Sequence, residues 1–146
     1  MARAETPRGL TARSAPYLVI DTREGGVIEF IESEFAEPTG RGRQYMYHVK
    51  QITVGDYLIC DHGPDGAPRV LACIERKTLK DFAQSFKDGR YGNSEKMFSL
   101  RAQTGCQVYY FVEGPAFPNP GRAFSRIPYA KILGAMTHLM VRDGAH

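Results

Sequence analysis

The sequence lacks three features that would place it in a specialised class of protein. It has no apolar run approaching the roughly 20 residues that a membrane-spanning helix needs. Its three cysteines are widely spaced and form no CxxC pair, which argues against a disulfide framework and against a structural zinc site. Its four histidines are scattered, without the spacing of metal ligands. We therefore expect neither a membrane protein nor a disulfide-stabilised secreted miniprotein.

What is present fits one folded domain. The 146 residues are 42% hydrophobic and 24% charged, a balance that is richer in apolar residues than a disordered chain. The net charge of +3 permits an anionic partner without requiring one. Cys60 and Cys73 lie in apolar segments and are interpreted as core thiols, which favours a reducing, intracellular compartment.

The two ends of the chain differ from its middle. Residues 1–15 carry three arginines against one glutamate and no apolar stretch of the kind found in a secretory signal. We expect a flexible tail there, with a weak mitochondrial presequence as the alternative. Residues 16–146 form the expected domain. Because the chain stops soon after a strong helical pattern, we expect this domain to be truncated at its C-terminal end.

The apolar patterns predict strands mixed with amphipathic helices, and hence an α/β fold in which helices flank a sheet. The predicted strands cover 17–20, 45–52, 57–60, 69–75 and 107–112. The predicted helices cover 27–35, 78–87, 94–104 and 125–141.

The candidate chemistry lies in two acids and a lysine. Asp56 follows Gly55 ahead of one predicted strand, and Glu75 ends the next strand, with Lys77 two positions further on. Alternation along a strand places Glu75 and Lys77 on one face and Arg76 on the other. The intervening hairpin can bring the two acids together. Metal-assisted phosphodiester hydrolysis needs such a set, because carboxylates hold a hard divalent ion while a lysine positions the water or neutralises developing charge.

This pattern alone is common, and a charged strand end is usually only solvated. Further motifs, however, surround it in a fixed order. They are Val19-Ile20-Asp21-Thr22-Arg23-Glu24, Gly55-Asp56-Tyr57, Glu75-Arg76-Lys77-Thr78-Leu79-Lys80-Asp81, Asp88-Gly89-Arg90-Tyr91, Tyr110-Phe111-Val112-Glu113-Gly114 and Val141-Arg142-Asp143-Gly144. Together they resemble the nuclease domain of the XPF-type structure-selective endonucleases, whose signature is GD…ERKxxxD preceded by DxRE. The resemblance covers roughly residues 17–144.

The resemblance implies a restriction-endonuclease-like fold, with a central mixed sheet flanked by helices and the metal at one end of the sheet. It implies an endonuclease that uses Mg²⁺ or Mn²⁺ to hydrolyse branched, forked or flapped DNA. It further implies a homodimer or heterodimer partner and a role in DNA repair or recombination. The setting would be the nucleus or cytoplasm, or a site of viral or phage DNA processing. No helix-hairpin-helix module follows in this sequence, which leaves substrate choice and dimerisation open.

Matched position by position, the resemblance makes Asp56 and Glu75 metal-binding acids and Lys77 the catalytic lysine. Asp21 matches an acid close to the metal, which makes it a third candidate ligand. The alternative is a strand-end acid that is merely paired with an arginine. The remaining members of the predicted catalytic set, acting through phosphate contact or an internal ion pair that holds the site, are Arg23, Glu24 and Arg76.

Thr78 and Asp81 lie in the ERKxxxD part of the signature, and they also fit a structural motif, the capping box at the start of a helix. Thr78 precedes a predicted amphipathic helix and Asp81 follows three positions later, which is the spacing of a capping box. We favour capping over catalysis for Asp81.

A run of basic residues follows the candidate site. Positions 76 to 101 hold seven basic residues against three acids. We expect a surface that contacts DNA phosphates, with a solvated helix face as the alternative. The expected DNA contacts are Lys80, Arg90, Lys96 and Arg101.

Two further alternatives are open. The first is a non-catalytic DNA-binding or scaffolding subunit with a nuclease-like fold, although such subunits usually lose the acids or the lysine, which are intact here. The second concerns the last predicted helix. Its broad apolar stripe either packs on the sheet or leaves Met136 and Met140 exposed to recruit a second copy.

Overall fold

The protein is described here from a computed structural model that covers residues 15–35, 46–87 and 92–146. Two features named above lie outside these ranges: the N-terminal tail up to residue 14, and the Asp88-Gly89-Arg90-Tyr91 motif with the predicted DNA contact Arg90.

Strands and helices alternate along the described residues. In order they are β1 Tyr17–Ile20, α1 Gly25–Phe35, β2 Tyr47–Val49, β3 Tyr57–His62, β4 Pro68–Thr78, α2 Leu79–Lys87, α3 Gly92–Thr104, β5 Gln107–Glu113, β6 Ala123–Phe124, β7 Ile127–Pro128 and α4 Tyr129–Asp143. In the described part of the chain, no helix is long and apolar enough to cross a membrane.

Five strands form one mixed sheet in the order β2-β1-β3-β4-β5. β3 and β4 pair antiparallel as the predicted hairpin, with Tyr57 opposite Ile74. β4 and β5 pair parallel, and so do β1 and β2. Parallel neighbours need a crossover, which α2 and α3 supply between β4 and β5. The predicted α/β fold with a central mixed sheet is therefore confirmed.

The two faces of the sheet pack against different helices. On one face, Cys73 and Val108 are buried with Met97 of α3. On the other face, Ile20 and Ile74 are buried beside apolar residues of α1. Since neighbouring residues of β4 point to opposite faces, the two clusters lie back to back. Helices thus flank both sides of the sheet.

The described cysteines behave as predicted. Cys60 and Cys73 are both buried and free. Burial raises the pKa of the Cys73 thiol to about 12, so this thiol stays protonated and is a core side chain with little nucleophilic character.

The predicted helix over 125–141 is wrong at its start. Ser125 and Arg126 adopt φ values of 48° and 66° and form the two-residue turn between β6 and β7. Helical backbone requires negative φ, so α4 cannot begin there. It begins at Tyr129, after Pro128 with φ of −59°.

Two strand boundaries also differ from the prediction. The strand expected over 45–52 is described from residue 46 onward, and within that part the regular strand is Tyr47–Val49. β4 continues past Glu75 as far as Thr78. The longer β4 matters for the site, because all three residues of the Glu75-Arg76-Lys77 motif then lie on one regular strand.

Candidate active site

The Gly-Asp motif holds the first candidate acid against β4. Gly55 has φ of +76°, and a Cβ at this position would lie 2.7 Å from Cys73 Sγ. Both observations require glycine. The next residue, Asp56, donates its amide to the carbonyl of Ile74 at 2.8 Å, and its Oδ2 accepts from the amide of Arg76 at 2.9 Å. The Asp56 carboxylate is therefore bonded to the strand that carries the second acid.

Glu75 and Lys77 lie together on the opposite side of β4 from Arg76. Lys77 Nζ is 3.8 Å from Glu75 Oε1. The side chain of Glu75 is only 9% exposed and that of Lys77 19% exposed. Their charges interact more strongly than an exposed pair would, because little water screens them. The predicted common face is confirmed, and it brings an ammonium group beside the acid.

Asp21 is fully buried and is held by donors from the protein itself. Its Oδ1 accepts from the amide and Nε of Arg23 at 2.8 and 2.6 Å, and its Oδ2 accepts from the amide of Ile52 at 2.9 Å. The Arg23 hydrogen bond lowers the pKa of Asp21 well below its usual range despite burial, so the carboxylate is charged. The amide of Asp21 also donates to the carbonyl of Asp56 at 2.9 Å. These contacts match the alternative in which Asp21 pairs with an arginine.

The side chain of Arg23 is exposed to solvent and is influenced by the charges of three acids. Its side chain is 68% exposed although its Nε bonds Asp21. The hydrogen bond to Asp21 raises the pKa of Arg23, and the charges of Asp56 and Glu75 raise it further, which means that the guanidinium lies in the field of all three carboxylates. Arg23 can thus hold the buried acid and still present its free nitrogens to a phosphate.

Arg76 projects to the other face and joins two acids. Its Nη1 donates to Glu24 Oε2 at 2.9 Å, and its Nε donates to Glu113 Oε1 at 2.5 Å. Glu24 Oε2 also accepts from the hydroxyl of Tyr57 at 2.5 Å. The bonds to Glu113 and then Glu24 raise the pKa of Arg76, so the ion pair persists at any neutral pH. Among the motif residues, Arg76 and Glu24 have the contacts of an internal ion pair.

Sequence reasoning missed Glu113 as a partner in this network. Glu113 is the last residue of β5, where it lies opposite Thr78, one strand position away from the motif lysine. A signal was available, since Glu113 lies in one of the motifs that carried the family resemblance. Its partner Arg76 is 37 positions away in the chain, so only the pairing of β4 with β5 reveals the contact.

Thr78 caps the helix that follows the motif. The amide of Asp81 donates to Thr78 Oγ1 at 3.1 Å, and that hydroxyl donates to Asp81 Oδ2 at 2.7 Å. The first contact is that of an N-cap, and the second replaces the usual return bond to the N-cap amide. These contacts are those of the predicted structural motif.

The predicted DNA contacts are not equivalent. Lys80 and Lys96 are exposed on α2 and α3. Arg101, by contrast, donates to two backbone carbonyls at the C-terminal end of α4, at 2.7 and 3.2 Å, and lies 4.7 Å from the ring centroid of Phe98. Cations stabilise this end of a helix, so the contacts of Arg101 are those of a structural cap.

The carboxylates of the site can be compared with what a divalent ion requires. Within 15–35, 46–87 and 92–146 there is no group of three or more His, Cys, Asp or Glu side chains that could hold a metal. The two candidate acids are related through β4, where the Asp56 carboxylate accepts from the amide that follows Glu75. Mg²⁺ commonly binds to one or two carboxylates and completes its shell with water and substrate phosphates. The pair fits Mg²⁺, and it fits Mn²⁺ through the same preference for oxygen ligands.

Comparison with known sequences supports the family resemblance that the motifs carry. The sequence profile of the ERCC4 domain matches residues 20–146. The ERCC4 domain-containing protein EP364R of African swine fever virus is 53% identical over 131 residues, which cover 87% of this chain and 35% of that protein. The protein of the same name from another isolate is also 53% identical, over 33% of its length. The chain thus spans about a third of the curated relatives it matches.

Comparison with solved structures supports the fold. XPF from Aeropyrum pernix matches with a TM-score of 0.56 and 29% identity, covering 89% of this chain and 51% of that one. The same protein in complex with DNA matches with a TM-score of 0.55 and 29% identity, covering 90% and 55%. The resemblance to XPF-type nuclease domains is therefore confirmed. The chain belongs to the ERCC4 domain family and has an XPF-like nuclease fold.

Proposed function

We propose that this domain is the catalytic part of a DNA endonuclease that requires Mg²⁺ or Mn²⁺. The observation that carries the proposal is the arrangement on β4. The Asp56 carboxylate accepts from the amide that follows Glu75, and Glu75 lies 3.8 Å from Lys77. The β3–β4 hairpin thereby brings Asp56 to the strand that carries Glu75 and Lys77. DNA as the substrate is supported by the similarity to XPF from Aeropyrum pernix, whose structure is known in complex with DNA.

Each residue has a distinct part in the proposed reaction. Asp56 and Glu75 are the residues that would hold the ion. When bound, such an ion polarises a phosphoryl oxygen and lowers the pKa of a water. Lys77, kept in place by Glu75, donates hydrogen bonds to the attacking water or to an oxygen on which negative charge develops. Arg23 contacts a phosphate with its exposed nitrogens.

Asp21 acts as a positioning residue in this proposal. Through its amide and carboxylate it binds Asp56, Ile52 and Arg23, and so fixes the loop that presents the first metal-binding acid. It is also our third candidate metal ligand, after Asp56 and Glu75, and both of its oxygens already accept hydrogen bonds from protein donors.

We expect cleavage to depend on Lys77 and on the acid pair. Labelled flap, fork, duplex and single-stranded DNA would be incubated with the purified protein, with Mg²⁺, with Mn²⁺ and with neither. We expect cleavage of flapped or forked DNA only with a metal. Lys77→Ala and Asp56→Asn should each slow it by about 100-fold or more, the range seen when one group that stabilises a transition state is removed.

Controls separate catalysis from folding and from binding. Lys87→Ala removes an exposed lysine from the far end of α2 and should cut as the wild type does. Circular dichroism and DNA binding should be the same for all variants. Full activity of Lys77→Ala or Asp56→Asn would contradict the mechanism. Metal-independent binding without any cleavage by the wild type would support the alternative, a non-catalytic DNA-binding or scaffolding subunit.

A further inference from the structure

The loop after β5 presents an aromatic ring at the edge of the sheet that carries the candidate active site. β4 and β5 are parallel, with Lys77 opposite Val112 and Thr78 opposite Glu113, so both strands end at this edge. Ligands of such sheets bind beyond the carboxyl ends of the parallel strands. Four positions after Glu113 lies Phe117, which is 100% exposed.

This ring is held out by a stiff backbone. Phe117 has φ of 48°, a conformation that is rare for a bulky side chain and costs free energy. Proline occurs at positions 115, 118 and 120, and each proline fixes its own φ. The prolines limit the backbone rotations by which the loop could withdraw this apolar ring from solvent.

Contacts at both ends fix where the loop lies. At its start, a Cβ on Gly114 would overlap the side chain of Leu79, so the loop packs closely on the beginning of α2. At its end, the carbonyls of Pro120 and Arg122 accept from the first amides of α4 at 3.0 and 2.8 Å. The loop is therefore attached between α2, which follows the motif lysine directly, and α4.

The loop and the segment that follows it are basic in sequence. From residue 114 to residue 142 the sequence contains no Asp or Glu. The hairpin of β6 and β7 follows the loop and carries exposed Arg126 at its turn, where φ is 66°. Ser125 Oγ donates to the carbonyl of Lys80 at 3.0 Å, which ties this turn to the first turn of α2. Arg122, five positions after Phe117, is also exposed, and its Cζ lies 5.2 Å from the centroid of the Phe124 ring. An exposed ring that is followed in the chain by exposed arginines is complementary to a base and its phosphates.

We propose that Phe117 stacks on an unpaired base of the DNA bound at the candidate active site, while Arg122 and Arg126 contact the adjoining phosphates. This inference rests on the proposed function, since it names the kind of DNA that the site takes. A base within a continuous duplex is already stacked on both sides and offers no free face to the ring. Phe117 is therefore the residue through which this loop distinguishes an unpaired nucleotide from a paired one.

Binding in the absence of divalent metal tests the stacking directly. The DNA would be a flap with 2-aminopurine at the unpaired position next to the junction, compared with a fully paired duplex of the same length. Phe117→Ala should weaken flap binding about 10-fold, as loss of one stacked base requires, and should change duplex binding less than about twofold. The quenching of 2-aminopurine by the wild-type protein should be lost in Phe117→Ala and restored in Phe117→Trp.

Phe111→Ala is the matched control, because Phe111 is also exposed, by 56%, but lies within β5. It should bind the flap as the wild type does. If Phe117→Ala binds flap and duplex like the wild type, or loses both equally, the stacking inference is wrong while the proposed nuclease function stands. If the wild type neither binds nor cuts any of the DNAs, the proposed function itself is wrong.

Discussion

At the scale of single residues, the signature motifs contain side chains of two kinds. Asp21 and Arg76 are engaged mainly by other protein groups, through donors and acceptors that the structure identifies. Glu75 and Lys77 form a close pair beside Asp56, whose carboxylate is oriented by a backbone amide. A charge that is already hydrogen-bonded is costly to redirect, so Asp21 and Arg76 have the contacts of residues that position the site. We propose that Asp56, Glu75 and Lys77 carry the chemistry.

Asp21→Asn should lower the free energy of unfolding by about 2 kcal/mol at pH 7, since it weakens hydrogen bonds to a charged, buried group. The pKa of Asp21 is lowered in the folded protein, so its stabilisation is present above the unfolded value near 4 and declines as the pH falls below it. The difference between variant and wild type should therefore shrink from pH 7 to pH 3. Urea denaturation at several pH values measures it.

Glu32→Gln serves as the control for this pH dependence, because Glu32 is exposed on α1. We expect the free energy of unfolding of this variant to equal that of the wild type at each pH between 7 and 3. A difference for Asp21→Asn that stays constant down to pH 3 would show that the ionised carboxylate is not the source of the stabilisation.

At the scale of secondary structure, the junction of β4 and α2 joins the motif to the helices. Lys77 is followed at once by Thr78, whose hydroxyl accepts from the amide of Asp81 and donates to its carboxylate. This cap fixes the direction in which the helix leaves the strand. The same short segment therefore ends the catalytic motif and begins the packing of α2 against α4.

The two capping residues should differ in their effect on stability. Thr78→Ala removes the acceptor of an N-cap and should lower the free energy of unfolding by about 1 kcal/mol. Asp81→Ala keeps the bond between the Asp81 amide and Thr78 Oγ1, and it should cost only about 0.5 kcal/mol. Thermal and urea denaturation would rank the two variants. An Asp81→Ala protein that is stable but inactive would move this residue into the catalytic set.

At the scale of the whole molecule, we propose that some of the exposed basic residues bind DNA, whereas others support the fold. Lys96→Glu should weaken binding to every DNA and flatten the slope of log affinity against log salt by about 1, because one phosphate contact is lost. Arg101→Gln should instead lower the free energy of unfolding and leave the salt slope unchanged, since its guanidinium binds the end of α4. A flattened slope for Arg101→Gln at unchanged stability would contradict the capping assignment.

The apolar stripe of α4 is only partly covered by the rest of the protein. Met136 packs in the cluster that contains Ile132, whereas Met140 is 58% exposed and the neighbouring Val141 is 82% exposed. Both methionines are thus more exposed than the core residue Met97, and Met136 is the one that is partly covered. Association with a second copy stays a prediction, as do branched DNA as the preferred substrate and a viral setting, for which the viral origin of the relatives is the support.

Local sequence determined the secondary structure and the identity of the candidate site. Strand alternation is enough to place Glu75 and Lys77 on one face and Arg76 on the other, because it depends only on backbone geometry. Amphipathic periodicity likewise predicted α1, α2 and α3 to within a few residues. The motifs named the acids, since their order along the chain does not depend on tertiary contacts.

Tertiary structure decided the register, the partners and the irregular segments. Which backbone amide orients Asp56 depends on how its loop meets β4, 20 positions along the chain. Arg76 binds Glu24 and Glu113, which are 52 and 37 positions away in the sequence. No local sequence pattern predicts contacts at such separations. The turn at Ser125 and Arg126 lacks the Asn-Gly or Asp-Gly pair by which a two-residue hairpin is predicted from sequence. The bond from Ser125 to α2 stabilises this turn, and that bond forms only once the helices have packed on the sheet.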